Sequence, residues 1–180
     1  MQTLDQSHKG AADLYRLAYL LTGQREVSVD VTLEAIDLGG DPASFFSSWM
    51  LAWSRRVVIA KALAAIHDEL AASARRTASK RSERTALPPP TWALDRHTTA
   101  VQLERALLAI DVFPRCALLL TVFEGVSPED AAILLDGTPA SVRNARIIGM
   151  RELTRKLAGM RGWPSTSPAP YVVASEMQNA

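Results

Sequence analysis

The stretch GVSPEDAAILLDGTPASVRNARIIGMREL, residues 125–153, contains two helix-start signals in close succession. Ser127-Pro128 is followed by two acidic residues, and Thr138-Pro139 opens a longer run. A hydroxyl residue is a preferred N-cap, and proline fits the first helical position because its missing N–H would have no partner there. Gly137, between the two signals, suits a helix end. The stretch therefore predicts a short helix, a tight turn and a longer second helix.

Apolar residues in this region recur at helical spacing and can pack the two predicted helices against each other. They are Ala131, Ala132, Leu134, Leu135, Val142, Leu153 and Leu157. Polar side chains occupy the other positions of the second helix, namely Ser141, Arg143, Asn144, Arg146 and Arg151. Arginine and asparagine suit guanine and adenine edges, and a helix N-terminus favours a phosphate. An ordinary helical corner shows the same pattern, so the spacing alone leaves both interpretations open.

The composition of the whole chain favours an all-α protein. Its 180 residues are 48% hydrophobic and 22% charged, which is ordinary for a chain that buries a core. Alanine and leucine dominate, and only 6% of the residues are aromatic. No uncharged apolar run is long enough for a membrane span, and MQTLDQSHKG lacks the apolar segment of a signal peptide. We therefore predict no membrane insertion and a cytoplasmic location.

One segment divides the chain. Residues 76–96, RTASKRSERTALPPPTWALDR, are rich in Ser, Thr, Arg and Pro, have no apolar period, and include consecutive prolines that hold an extended backbone. We predict two helical domains, residues 1–75 and 97–162, joined by this Pro/Ser/Arg-rich linker. The second is predicted to be a four-helix domain that contains the helix-turn-helix. The Pro/Ser-rich tail, residues 163–180, is expected to be poorly ordered.

Three helices are predicted in the first domain. Ser7 is the predicted N-cap of the first, and Gly23 lies just past its end. A second helix is predicted over residues 26–38 and a long one over residues 43–75. The first half of the long helix, FFSSWMLAWSRRVVIAKAL, is apolar nearly all round, which predicts burial on several sides.

No residue pattern points to catalysis or to a cofactor. The three histidines lie in different segments, and none stands beside a serine or cysteine nucleophile with an acidic orienting group. The single cysteine, Cys116, excludes an intrachain disulfide, and its apolar neighbours predict a buried, unreactive thiol. No phosphate loop or dinucleotide fingerprint occurs. We therefore predict that the chain is not an enzyme and takes no metal and no cofactor.

Two stretches resemble the extracytoplasmic-function group of sigma-70 family RNA polymerase sigma factors. LYRLAYLLTGQREVSVDVTLEA, residues 14–35, is similar to the start of those proteins. EGVSPEDAAILLDGTPASVRNARIIGMREL, residues 124–153, is similar to their promoter-reading helix-turn-helix. The two stretches follow the family's order on either side of a linker. With the weaker match FFSSWMLAWSRRVVIAKAL, the resemblance covers most of residues 11–158.

The resemblance implies a transcription initiation protein that binds RNA polymerase core and promoter DNA. In the family, the first domain grips the polymerase clamp and melts the −10 element, and Asp30 and Glu34 match its acidic clamp-binding positions. The second domain reads the −35 element and binds the polymerase flap. Its DNA-binding residues here would be Ser141, Arg143, Asn144, Arg146 and Arg151. An anti-sigma factor is a further implied partner, and self-association is left open.

A second hypothesis is a sigma-like protein-interaction or regulatory module with weak or no DNA binding. It is motivated by Ala145, Ile148 and Met150, which stand where the family has arginines, and by a shortened −10 segment around Trp49. The net charge of +1 is also low for a nucleic-acid-binding protein.

Surface chemistry discriminates between the two hypotheses. A continuous basic stripe along Arg143, Arg146 and Arg151 favours the sigma factor, because cations along one helix face can follow phosphates. Apolar exposure at Ile147 and Ile148 favours the interaction module.

Overall fold

The computed structural model describes residues 2–39, 47–79 and 98–162, and these ranges form eight α-helices without a strand. In the first half they are α1 (Gln2–Thr22), α2 (Arg25–Gly39), α3 (Ser47–Ala65) and α4 (His67–Ser79). In the second half they are α5 (Ala100–Leu108), α6 (Val112–Leu118), α7 (Pro128–Leu134) and α8 (Pro139–Met160). The all-α prediction is confirmed. Among the described helices, none combines the length and apolar character needed to cross a bilayer.

Helices α1, α2 and α3 pack against one another and are called the N-terminal bundle below. Helix α1 begins before Ser7, so the predicted N-cap there is wrong; no proline or glycine precedes Ser7 to stop the helix. The predicted end at Gly23 is confirmed, because this glycine has φ +73° and its N–H donates to the Tyr19 carbonyl at 2.8 Å. The buried bundle residues include Leu14, Leu17, Leu21, Val31, Ala35, Val58 and Ala62.

The predicted long helix is interrupted at Ile66, where α3 ends and α4 begins. The prediction that its first half is buried on several sides is wrong for residues 52–63, and the side chains of residues 45–51 lie outside the described part of the chain. Arg56 and Lys61 are exposed, and the Trp53 side chain is 46% exposed. Among its described side chains, those of Ser54, Val58, Ile59, Ala62 and Leu63 are buried, and their spacing places them on one face.

Helix α4 packs mainly against α6 rather than against α3. Its buried face is small and polar apart from Leu70, and Ser73 on this face accepts a hydrogen bond from the Phe113 N–H at 2.9 Å. Arg76 donates twice to the Asp111 carboxylate, at 3.1 and 2.7 Å. Burial raises the pKa of Asp111, but hydrogen bonds from Arg76, Ser73 and the next backbone N–H outweigh it, and the net pKa is lowered.

Helices α4 to α8 are called the C-terminal body below, and α6 is its centre. Every residue of α6 is buried, and α8 crosses it at Gly149. A Cβ on Gly149 would lie 2.6 Å from the Pro114 carbonyl oxygen, so only glycine permits this approach. Cys116 is fully buried in α6, which confirms the prediction for the thiol, and burial raises its pKa to about 12.

A π-helical turn, Leu119–Phe123, extends α6. The N–H of Glu124, the residue after this turn, donates to the Leu119 carbonyl at 3.0 Å, and this bond joins residues five apart. Gly125, with φ +67°, ends the helix as predicted.

A buried arginine joins the N-terminal bundle to the C-terminal body. Arg115 is 4% exposed, and its guanidinium donates to the carbonyls of Leu21, Leu108 and Ile110 at 3.2–3.3 Å. Leu21 and Leu108 lie in the last turns of α1 and α5, where aligned peptide dipoles supply partial negative charge. Within the described residues, the Arg115 Nε has no hydrogen-bond partner.

Buried apolar residues of both halves form one continuous cluster. The predicted boundary between residues 75 and 76 falls inside α4, and residues 76–79 of the predicted linker are helical. The rest of that linker and the predicted tail, residues 163–180, lie outside the described residues. The division into two domains therefore stays a prediction.

Replacing Gly149 with alanine is expected to lower the free energy of unfolding by about 1–3 kcal/mol, because the new methyl group would overlap the Pro114 carbonyl. Gly159 is the matched control, since a Cβ there meets no atom within 4 Å. Gly159→Ala should leave stability unchanged or raise it by about 0.5–1 kcal/mol. Urea unfolding followed by circular dichroism measures both; equal effects would contradict the close crossing.

Candidate nucleic-acid interface

The corner between α7 and α8 is built from the two predicted start signals. The Ser127 hydroxyl accepts a hydrogen bond from the Asp130 N–H at 3.0 Å and caps α7, which confirms this N-cap. Asp136 follows α7 with φ +48°, a left-handed conformation that aspartate tolerates better than most residues. The Gly137 N–H then donates to the Ala132 carbonyl at 2.9 Å. These bonds turn the chain within four residues of the end of α7.

Thr138 caps α8 with a reciprocal pair of hydrogen bonds. Its hydroxyl accepts from the Ser141 N–H at 3.1 Å, and the Ser141 hydroxyl accepts from the Thr138 N–H at 3.0 Å. The Ser141 hydroxyl also donates to the Thr138 carbonyl at 2.7 Å. The predicted start of α8 is confirmed. Because its hydroxyl is held in the cap, Ser141 supports the helix end in this structure.

One face of α8 is buried against the rest of the C-terminal body and fixes the rotation of the helix. Five of its buried residues, Val142, Ala145, Gly149, Leu153 and Leu157, are spaced three or four apart. The predicted apolar packing of the corner is confirmed with one exception. Leu134 is 38% exposed, because it lies to the side of the α7 face that buries Ala131 and Ala132.

The opposite face of α8, called the outer face below, carries cationic, amide and apolar side chains. Its exposed members are Arg143, Asn144, Ile147, Arg151 and Arg155. Three of the five predicted DNA-binding residues thus share one surface, Arg143, Asn144 and Arg151. Arg146 is half-buried at the edge of the buried face and lies away from the centre of the outer face.

Two features make the outer face less basic than a continuous row of arginines. Arg143 forms an ion pair with Glu129 of α7, and both side chains are about half exposed. Ile147 is 47% exposed and interrupts the stripe between Arg143 and Arg151. Ile148 is half-buried, so the apolar exposure expected of the second hypothesis occurs at one of its two positions.

The predicted polymerase-binding residues Asp30 and Glu34 are exposed on α2. Glu34 forms an ion pair with Lys61 of α3, in which the Nζ–Oε2 distance is 2.7 Å. An apolar stripe that the sequence reasoning missed runs beside them: Val29, Leu33 and Ile36, with Leu33 55% exposed. Their spacing of four and three residues is typical of one helix face, so the stripe could have been predicted from the sequence.

The segment that resembles the −10-reading region is only partly accessible. Trp53 and Arg56 are exposed, whereas Arg55 is held by the Glu124 carboxylate in a two-pronged ion pair whose Nε–Oε2 distance is 3.0 Å. The Trp49 side chain lies outside the described residues. Among the described residues no group of three metal-ligating side chains occurs.

Comparison of the chain with protein-family models, curated proteins and solved structures found no match.

Because the Ser141 hydroxyl accepts the reciprocal bond of the cap, Ser141→Ala is expected to lower the free energy of unfolding by about 0.5–1.5 kcal/mol, the net worth of one hydrogen bond. Asn144→Ala is the control on the same helix, since Asn144 is exposed in the helix interior and alanine has the higher helix propensity. Thermal unfolding of both variants measures the difference. A fully stable Ser141→Ala protein would contradict the capping role.

Proposed function

We propose that this chain is a divergent, sigma-like transcription initiation protein that binds RNA polymerase core through α2 and promoter DNA through the outer face of α8. The observation that carries the proposal is the fixed orientation of α8. Its capped N-terminus and buried face leave Arg143, Asn144 and Arg151 together on an exposed surface. Such a helix, following a tight corner, suits the major groove of DNA.

The DNA contact has two parts with different chemistry. Arg143 and Asn144 lie in the first two turns of α8, where side chains of a recognition helix reach base edges. Arg151 and Arg155 lie further along the same face and suit phosphates, which need charge rather than a particular edge pattern. The Glu129 carboxylate orients the Arg143 guanidinium and must give way or share it when DNA binds.

The polymerase contact is supported by the pairing of acid and apolar groups on α2. Asp30 and Glu34 stand beside the exposed stripe of Val29, Leu33 and Ile36. A surface of this composition suits a partner helix with an apolar seam and basic flanks. The apolar stripe lies on the side of α2 opposite the buried residues Val31 and Ala35, and Glu34 stands at the edge of the face next to Lys61 of α3.

A second candidate function is a protein-interaction module without DNA binding. Ile147, at the centre of the outer face, favours it, because an exposed isoleucine between two arginines adds apolar contact area without adding attraction to phosphate. Under this hypothesis the outer face contacts a protein, and α2 keeps its own partner.

The test of the polymerase contact is retention of the purified full-length chain on immobilised RNA polymerase core. The unmodified chain should be retained at low salt, and Asp30→Arg should reduce retention by about tenfold or more, because it reverses a charge at the centre of the face. Asp13→Arg makes the same charge change on the exposed side of α1 and should have little effect. No retention of the unmodified chain would remove this part of the proposal.

For the DNA contact, Arg143→Ala is expected to weaken promoter binding by about 1–3 kcal/mol and to relax the preference at one base position. Arg105→Ala is the control, because Arg105 is an exposed arginine on α5, away from the outer face. Fluorescence anisotropy at several salt concentrations measures both affinities. The protein-interaction function is favoured instead if Arg143→Ala and Arg105→Ala have the same affinity for DNA and the unmodified chain shows no salt-dependent DNA binding.

A further inference from the structure

The junction between the N-terminal bundle and the C-terminal body contains three charged contacts beside the buried apolar cluster that the two halves share. Arg55 of α3 pairs with Glu124, and Arg16 of α1 lies 3.8 Å from Glu104 of α5. Exposed ion pairs contribute little to stability and weaken with salt. The Arg16–Glu104 pair is largely exposed, whereas Glu124 is mostly buried. Arg55–Glu124 is therefore the stronger of the two pairs.

The third polar contact places a charge in the interface. Arg115 of α6 donates to the Leu21 carbonyl at the end of α1, and its Nε finds no partner among the described residues. Burying a guanidinium costs free energy unless a carboxylate and a full set of hydrogen bonds offset it. Two helix ends offset part of this cost. Separation of α1 from α6 would remove the remaining desolvation cost, because water would then hydrate the Arg115 Nε.

The chain geometry gives the bundle one place to turn. Between the bundle and the body, the only covalent connection in the described ranges is at Ile66, since α3 ends at Ala65 and α4 starts at His67. Helix α4 itself is fixed to α6 by the Arg76–Asp111 pair and by Ser73. The break at Ile66 can therefore act as a hinge while α4 stays in place.

We propose that the packed arrangement is a closed state, that the N-terminal bundle opens away from the C-terminal body about Ile66, and that the Arg55–Glu124 pair is the latch. The cost of the buried Arg115 offsets part of the free energy that the shared apolar cluster contributes to the closed state. Opening releases Arg55 from a carboxylate and makes it available to an anionic partner. The inference is independent of the proposed function, because it concerns the free chain.

The chain carries a natural reporter of this opening. Cys116 is the only cysteine, it is fully buried, and its Sγ lies 3.6 Å from the Leu21 carbonyl of the bundle. When α1 moves away, the thiol loses this cover and can react with a thiol reagent. The rate of Cys116 modification therefore follows the population of the open state when closing is fast.

The experiment measures that rate in the native full-length chain with an uncharged alkylating reagent. Glu124→Gln should raise the rate by about 3- to 10-fold, because it removes the charge of the latch. Glu129→Gln is the matched control, since it makes the same change in a pair that lies wholly within the body, Arg143–Glu129. Raising the salt concentration from about 0.05 M to about 0.5 M should raise the rate in the unmodified chain.

A charge swap separates the latch from general destabilisation. Arg55→Glu alone should accelerate modification, and Arg55→Glu combined with Glu124→Arg should restore protection. In the unmodified chain, Cys116 should react faster than global unfolding measured by urea titration allows. Small-angle X-ray scattering should show a larger radius of gyration for Glu124→Gln than for Glu129→Gln.

Three outcomes would overturn the proposal. They are equal modification rates in Glu124→Gln and Glu129→Gln, no restoration by the charge swap, and reaction of Cys116 at the rate set by global unfolding. If Glu124→Gln is too unstable to purify, the salt dependence of the unmodified chain and its scattering profile decide the question. An absence of salt dependence in both then counts against the latch.

Discussion

The close approach of α8 to α6 fixes most of what the second half of the chain presents to its surroundings. At the crossing, Gly149 of α8 faces the Pro114 carbonyl at a distance that excludes any Cβ. Only one rotation of α8 satisfies this approach, and that rotation buries Val142 and Leu153. Arg151 and Ile147 are then exposed whatever their chemistry. Packing therefore fixes which positions of α8 form the outer face, whether or not a ligand binds there.

The junction between the two halves of the molecule adds charged contacts to apolar packing. Inside the C-terminal body every residue of α6 is buried, whereas the junction with the N-terminal bundle adds charged contacts of Arg115 and Arg55 to the apolar cluster that both halves share. Apolar burial changes little with ionic strength, whereas the partly exposed ion pairs Arg16–Glu104 and Arg55–Glu124 weaken as salt rises. The fold therefore combines a robust body with a junction that responds to its environment.

Local chemistry explains which features could be predicted from the sequence. The cap at Thr138 and the helix end at Gly23 depend on residues within one helical turn, so short patterns reveal them. The burial of Arg115 depends on the ends of α1 and α5 meeting in space, and no short pattern records that. The break at Ile66 has no proline or glycine to mark it. The resemblance places Ser141 among the DNA-binding residues, whereas its bond to the cap is visible only in three dimensions.

The π-helical turn sets the direction in which the next residue, Glu124, projects from the end of the helix. A turn with one additional residue rotates later side chains by about 100° relative to an uninterrupted α-helix. Glu124 comes directly after this turn, and its carboxylate meets Arg55 at that phase. A related chain shorter by one residue between Leu119 and Phe123 would regain regular α-helical geometry and swing the carboxylate aside. Loss of a single codon is therefore enough to remove the Arg55–Glu124 pair from the junction between the two halves.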